Sequence, residues 1–149
     1  MPDAGVLTLE MQRVLPAARR VVFAAFTHPD RLRHWWGPVG FTVPDVTLDA
    51  RAGAAYRIEM QPPEGDPFHL TGEIREVDPP ARLAYTFTWE PPDPDDVETL
   101  VELSFAERGD ATEAGLTQGV FKTEARRELH ERGWTDTFDR LETYLARGA

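Results

Sequence analysis

Between Pro80 and Pro91, large apolar side chains occupy every second position of the chain. They are Leu83, Tyr85, Phe87 and Trp89, and the residues between them are Ala84, Thr86 and Thr88. This alternation is typical of a β-strand that has one face on the protein core and the other face in water. A strand of an all-parallel sheet is buried on both faces, so the pattern predicts an antiparallel sheet.

The same alternation recurs along much of the chain, interrupted by turns rich in Pro, Gly and Asp. It predicts six strands, at residues 41–49, 55–61, 68–78, 82–90, 98–106 and 112–121. A seventh strand is predicted near the N-terminus, where Leu7, Leu9 and Met11 alternate with polar residues. We therefore expect a curved sheet of seven antiparallel strands.

Two short helices are predicted between the first two strands. Residues 17–26 place Val22, Phe23 and Phe26 on one side at helical spacing. A second short helix is predicted over residues 29–36, because Pro29 suits a first helical turn and Gly37 follows as a breaker.

A long C-terminal helix is predicted over residues 122–147. Its apolar stripe consists of Trp134, Phe138, Leu141 and Leu145, and we expect this stripe to cover the sheet. Gly133 is expected to mark a bend or a close packing contact within this helix. The whole pattern predicts an α+β fold in a single domain over residues 1–149.

Charge and composition exclude several classes of function. The net charge is -10, and residues 35–121 carry seventeen Asp or Glu against five Arg, so nucleic-acid binding is not expected. The longest apolar run is six residues, at 21–26, which predicts no membrane span. With no leader-like segment in residues 1–10 either, we expect a cytoplasmic protein.

No catalytic motif or metal-ligand pattern stands out. The chain has no cysteine, and its four histidines, His28, His34, His69 and His130, show no metal-ligand spacing. Ser104, the only serine, lies in a predicted strand. No metal or cofactor is therefore predicted.

The carboxylates also lack a catalytic arrangement. Glu59, Glu73 and Glu102 fall on the polar face of the sheet, where they are poor candidates for a buried acid and base.

A set of short motifs resembles the branch of the START/SRPBCC helix-grip superfamily that is similar to the activator of heat-shock-protein-90 ATPase. The motifs are His28-Pro29-Asp30, Trp35-Trp36-Gly37-Pro38, Asp49-Ala50-Arg51-Ala52-Gly53, Glu76-Val77-Asp78-Pro79-Pro80 and Gly133-Trp134. The resemblance spans nearly the whole chain. It implies a sheet that grips the long helix, with a cavity beneath the helix that binds apolar or amphipathic molecules.

The predicted function is binding of a small hydrophobic or amphipathic ligand in this cavity. Ten aromatic residues are candidates for lining it: Trp36, Phe41, Tyr56, Phe68, Tyr85, Phe87, Trp89, Phe105, Trp134 and Phe138. A close-packed aromatic core is the alternative. Tyr56, Tyr85 and Trp89 have polar tips that either orient a ligand oxygen or satisfy a backbone carbonyl.

Two other functions stay open at this point. The same cavity suits an enzyme of the cyclase or hydrolase type, for which a converging Tyr with a Glu or His would be the sign. A co-chaperone or interaction module is the other, although a chaperone partner is not expected because the known co-chaperone has a further chaperone-binding domain. Unpaired edge strands make a homodimer possible.

Overall fold

The computed structural model describes residues 7–148. Seven strands form one antiparallel sheet in the order β1-β7-β6-β5-β4-β3-β2. The strands are β1 (Thr8–Leu15), β2 (Val46–Thr47), β3 (Ala55–Met60), β4 (Phe68–Asp78), β5 (Arg82–Glu90), β6 (Thr99–Arg108) and β7 (Ala111–Gly119). The helices are α1 (Arg19–Thr27), α2 (Pro29–Leu32) and α3 (Glu124–Ala146). The predicted α+β helix-grip architecture is confirmed.

Alternation of side chains along the strands builds the core on one face of the sheet. In β6, Val101, Leu103 and Phe105 are buried, while Glu102 and Ser104 between them are exposed. The buried stripe of α3 lies against this face and includes the four predicted residues Trp134, Phe138, Leu141 and Leu145. The core therefore lies between the sheet and the helices.

The strand predicted at residues 41–49 is much shorter than expected. Only Val46–Thr47 pairs as a strand, with Thr42 forming an isolated bridge to Gln61. Pro44 has no N–H for a sheet ladder. Its carbonyl oxygen accepts a hydrogen bond of 2.9 Å from the Arg33 guanidinium instead. The chain here thus pairs with the sheet at only a few positions and is also held to the helical segment through Arg33.

The helix predicted at residues 29–36 is also shorter, since α2 ends at Leu32. Turn hydrogen bonds continue beyond it, from the backbone N–H groups of Trp35 and Trp36 to the carbonyl of Leu32, at 3.2 and 3.1 Å. The two tryptophans are therefore placed at the end of a tight turn and are both buried.

The outer face of β5 is less exposed than the alternation predicts, because Ala84 and Thr86 are both buried. Arg82 extends over this face and pairs with Glu76 at 3.3 Å and with Glu102 at 3.6 Å. Long charged side chains can cover small neighbours in this way while their charged ends stay in water. The prediction of a fully wet face was wrong at these two positions.

Candidate functional site

A cavity of about 190 Å³ lies between α3, the inner face of β3–β5 and the segment at residues 36–41. Its wall is mostly aromatic and aliphatic. The lining residues are Trp36, Gly37, Pro38, Phe41, Met60, Phe68, Phe87, Trp89, Leu129, His130, Gly133, Trp134 and Thr137.

The sheet side of the cavity is a chain of aromatic rings in edge-to-face contact. Phe68 of β4 lies 6.0 Å from Phe41 and 5.3 Å from Trp89 between ring centroids. Trp89 in turn lies 5.0 Å from Phe87, two positions earlier on β5. Edge-to-face pairs at these distances are favourable beyond the area they bury. The sheet wall is therefore a stiff apolar surface.

The helix side of the cavity comes from one face of α3. His130 lies four residues before Trp134, and Gly133 lies four residues before Thr137, so these two neighbouring rows form one face of the helix. Thr123 starts the helix, because its side chain accepts a 3.2 Å hydrogen bond from the backbone N–H of Arg126.

Gly133 leaves open space at this wall. A Cβ atom built at Gly133 would have no neighbouring atom within 4 Å. The predicted close packing contact at this glycine was therefore wrong, whereas the predicted bend stays a prediction. Its missing side chain enlarges the cavity instead.

Arg140 fixes the segment that closes the third side. Its guanidinium Nη1 lies 3.0 Å from the carbonyl oxygens of Trp36, Gly37 and Pro38 and shares its two N–H groups among these three acceptors. Hydrogen bonds from a charged donor are stronger than neutral ones. Burial lowers the pKa of Arg140, and nearby Asp136 opposes that shift. This one side chain therefore ties the cavity's closing segment to α3.

His130 is the one ionisable residue among the residues that line the cavity. Its Nε2 accepts a 2.9 Å hydrogen bond from the indole nitrogen of Trp89. Nδ1 lies 2.8 Å from the carbonyl oxygen of Arg126, so the proton belongs on Nδ1, which donates to that oxygen. Burial lowers the pKa of His130, which favours this neutral form.

The other polar groups at the wall are also satisfied within the protein. The Trp134 indole donates to the side-chain oxygen of Gln118 at 2.8 Å, and Gln118 donates to Thr99 Oγ1 at 2.9 Å. The Thr137 hydroxyl donates to the carbonyl of Gly133 at 2.7 Å. The wall thus presents a ligand with apolar surface and no unmet hydrogen-bonding group among these side chains.

The ten residues proposed from the sequence fall into three places. Six of them line the 190 Å³ cavity: Trp36, Phe41, Phe68, Phe87, Trp89 and Trp134. Tyr56 and Tyr85 line a separate void of about 20 Å³, next to α1 and α2.

The last two, Phe105 and Phe138, lie in the packed core and are not brought to either space. Phe105 lies 5.8 Å from Phe23 and 5.4 Å from Phe26 between ring centroids. Phe138 packs beside Trp134, with the Arg13 guanidinium 5.8 Å from its ring centre.

Seven lining residues were not among those proposed: Gly37, Pro38, Met60, Leu129, His130, Gly133 and Thr137. Helical spacing could have identified two of them. His130 lies four residues before Trp134, and Thr137 lies three residues after it, on the same stripe. Strand alternation from Tyr56 through Ile58 likewise leads to Met60.

Two further features of residues 7–148 bear on the kind of site. No group of three His, Asp or Glu side chains is placed to hold a metal ion within this range. None of the helices described there combines the length and apolar character needed to cross a bilayer.

The sequence matches one protein family over most of its length. Residues 16–146 fit the family described as Activator of Hsp90 ATPase homolog 1-like protein. No curated protein shows significant similarity to the chain.

Solved structures of bacterial proteins share the fold. A Chromobacterium violaceum protein is 26% identical with a TM-score of 0.82, and the alignment covers 96% of each chain. A Nitrosomonas europaea protein is also 26% identical with a TM-score of 0.82, over 98% of this chain and 97% of that one. The AHSA1 protein of Silicibacter pomeroyi is 27% identical with a TM-score of 0.83, over 95% and 99% of the two chains.

The family match and the shared fold agree with the helix-grip architecture. The chain belongs to the family of proteins similar to the activator of Hsp90 ATPase homolog 1, within the START/SRPBCC fold group.

Proposed function

We propose that this protein binds a small apolar or amphipathic molecule in the cavity beneath α3. The observation that carries the proposal is the cavity itself, about 190 Å³ of space with an aromatic wall. The cavity is partly open to solvent, since Leu129 in its wall is 42% exposed, and the rest of the wall is largely apolar surface that a bound ligand would bury. Membership of a fold group that commonly binds ligands supports the same function.

The volume limits the size of the ligand. An apolar cavity of about 150 Å³ holds benzene, whereas drug-sized ligands occupy pockets of roughly 300–1,000 Å³. A space of about 190 Å³ lies between these limits. The expected ligand is a compound with one or two small rings, or a short aliphatic chain. A sterol would require the walls to move apart.

Binding without turnover fits the chemistry of the wall better than catalysis does. The ionisable residue in the wall, His130, uses both ring nitrogens in hydrogen bonds to Trp89 and to the backbone of Arg126. A general base must reach a proton of its substrate, which this arrangement prevents unless the hydrogen bonds break. The enzyme and co-chaperone alternatives stay predictions without a specific observation in their favour.

Tryptophan fluorescence gives a direct test, since Trp36, Trp89 and Trp134 line the cavity and Trp35 is the only other tryptophan. Titration with toluene and naphthalene should change the emission in a saturable way. At about one hundred times Kd, ligand stabilises the fold by about 2.7 kcal/mol, which raises Tm by roughly 5–10 °C for a protein of this size.

Cholesterol serves as the size control in the same titration and should produce neither effect. If toluene and naphthalene leave both the emission and Tm unchanged up to their solubility limits, the proposed function is wrong.

A further inference from the structure

The two tyrosines next to each other on β3 and β5 differ in their hydrogen bonding. The Tyr56 hydroxyl donates a 2.5 Å hydrogen bond to the carbonyl oxygen of Thr86. The Tyr85 hydroxyl is buried and has no hydrogen-bond partner within the described residues. The ring centroids are 5.4 Å apart, so the two residues share one environment. A buried hydroxyl without a partner is costly, and in native structures such a group is usually satisfied by a protein atom or by a bound molecule.

Tyr85 borders the void of about 20 Å³ described above. Space of this size holds one water-sized group. The wall is otherwise formed largely by apolar side chains, including Phe26, Leu32, Ile58 and Leu83. Thr27 also borders it, but its hydroxyl already donates to the carbonyl of Phe23 at 2.8 Å. The Tyr85 hydroxyl is thus the unmet polar group at this void.

Trp36 links the void to the larger cavity, because its side chain lines both. It lies between Trp35 and Trp134, at centroid distances of 5.5 and 5.4 Å. Displacement of this one indole would join the two spaces, with the apolar cavity at one end and Tyr85 at the other.

We propose that the Tyr85 hydroxyl donates a hydrogen bond to one neutral acceptor oxygen of a ligand whose apolar body fills the larger cavity, with Trp36 displaced between them. This inference rests on the proposed function and adds the ligand's polar group. The ligand class is then an amphipathic molecule with a small apolar body and a single carbonyl, ether or hydroxyl oxygen.

The charges around both spaces favour a neutral oxygen over a carboxylate. No Lys or Arg belongs to either set of lining residues. A carboxylate placed there would be a buried charge without a partner, which is strongly unfavourable. Burial raises the pKa of the Tyr85 hydroxyl, so it keeps its proton and acts as a donor.

Matched ligand pairs test the proposal. The ketones are acetophenone, phenylacetone and 4-phenylbutan-2-one, each compared with the alkene in which a methylene group replaces the carbonyl oxygen. The chain between ring and carbonyl lengthens by one carbon at each step, so the series samples the reach from the cavity to Tyr85. The proteins are the parent, Tyr85→Phe and the control Tyr144→Phe, because Tyr144 is not among the residues that line either space.

We expect Tyr85→Phe to raise Kd for at least one ketone by about 2- to 10-fold, the net value of one hydrogen bond. Kd for the matching alkene should stay the same. Tyr144→Phe should leave the ratio of the two Kd values unchanged, because Tyr144 lines neither space. Tyr85→Phe should not lower Tm, because its hydroxyl has no partner to lose.

The carbonyl stretch of the bound ketone provides an independent readout. A hydrogen bond to the carbonyl lowers its stretching frequency, so the frequency should rise in Tyr85→Phe and stay unchanged in Tyr144→Phe. The inference is overturned if every ketone binds the parent and Tyr85→Phe equally, with equal stretching frequencies. In that case alkene binding would still support the proposed function, whereas failure of ketones and alkenes alike would reject both.

Discussion

The indole nitrogen of Trp89 and Nε2 of His130 lie 2.9 Å apart, and this hydrogen bond joins β5 to α3 at one end of the cavity. Its geometry requires an unprotonated Nε2, because the indole can only donate. Protonation of His130 would put a hydrogen on Nε2, and this N–H donor would face the indole N–H donor of Trp89. The hydrogen bond therefore makes the contact between sheet and helix sensitive to pH.

Stability should decrease as the pH falls below about 6.5, the ordinary pKa of histidine. Burial is the main cause that lowers the pKa of His130. The hydrogen bond to the Arg126 carbonyl opposes it, the charge of Arg126 lowers the pKa further, and the charge of Asp96 raises it. The unfolded chain then binds a proton at a higher pH than the folded chain does. The stabilising contribution is present above the unfolded pKa and is lost as pH falls through the folded one.

Urea unfolding at pH 7.5 and pH 5.5 measures this effect, with His130→Gln as the control that cannot titrate. The parent should lose more unfolding free energy than the variant between the two pH values, at most about 1.4 kcal/mol per pH unit. Equal losses in the two proteins would show that His130 is not responsible.

Gly72→Ala should destabilise the protein by about 2–3 kcal/mol. A Cβ atom at this position would overlap the carbonyl oxygen of Thr86 and lie 2.7 Å from Cε1 of Tyr56. The oxygen belongs to the backbone of the neighbouring strand, so relief requires β4 and β5 to move apart. Chemical denaturation provides the measurement, and a loss below about 0.5 kcal/mol would contradict the close approach of the two strands.

Gly133→Ala should instead stabilise the protein. The free energy of unfolding should rise by about 1 kcal/mol, because alanine has a higher helix propensity than glycine. Nothing lies within 4 Å of the added Cβ, so the methyl group meets no clash.

Gly133→Leu extends further into the cavity and should remove the response to naphthalene while the protein stays folded. Undiminished naphthalene binding by a folded Gly133→Leu variant would place the ligand elsewhere.

Arg140→Gln should lower the free energy of unfolding by about 1–3 kcal/mol, because the carbonyls of Trp36, Gly37 and Pro38 lose a charged donor. The segment that closes the cavity should also open more often. Amide hydrogen exchange can detect this at Phe41, whose N–H donates to the carbonyl of Pro38 at 3.1 Å. If exchange at Phe41 is as slow in the variant as in the parent, Arg140 does not hold the segment.

The fold could be predicted from the sequence because it depends on local periodicity. The alternation along β5 and β6 indicates which face of each strand is buried. The apolar stripe from Trp134 to Leu145 does the same for α3. The pattern fails where a neighbouring element changes the environment. Ala84 has the alternation of a solvent-facing residue, yet it is buried beneath the ion pairs that Arg82 forms with Glu76 and Glu102 on the neighbouring strands.

The site was harder to predict, because its properties depend on contacts between residues far apart in the chain. Tyr56 and Tyr85 look alike in sequence, and only the fold shows that Tyr56 meets the carbonyl of Thr86 while the Tyr85 hydroxyl meets no partner. The same holds for Arg140, whose partners lie more than one hundred residues earlier. The volume of a cavity depends on such long-range contacts, and the hydrophobic periodicity of the sequence does not determine it.

Intermolecular nuclear Overhauser effects between bound toluene and the protein's aromatic protons test the central claim most directly. We predict contacts from toluene to the rings of Phe68, Trp89 and Trp134, which line the cavity, and none to Phe105, which lies in the packed core. Contacts confined to exposed side chains, or the absence of any contact under saturating toluene, would contradict binding in the cavity beneath α3.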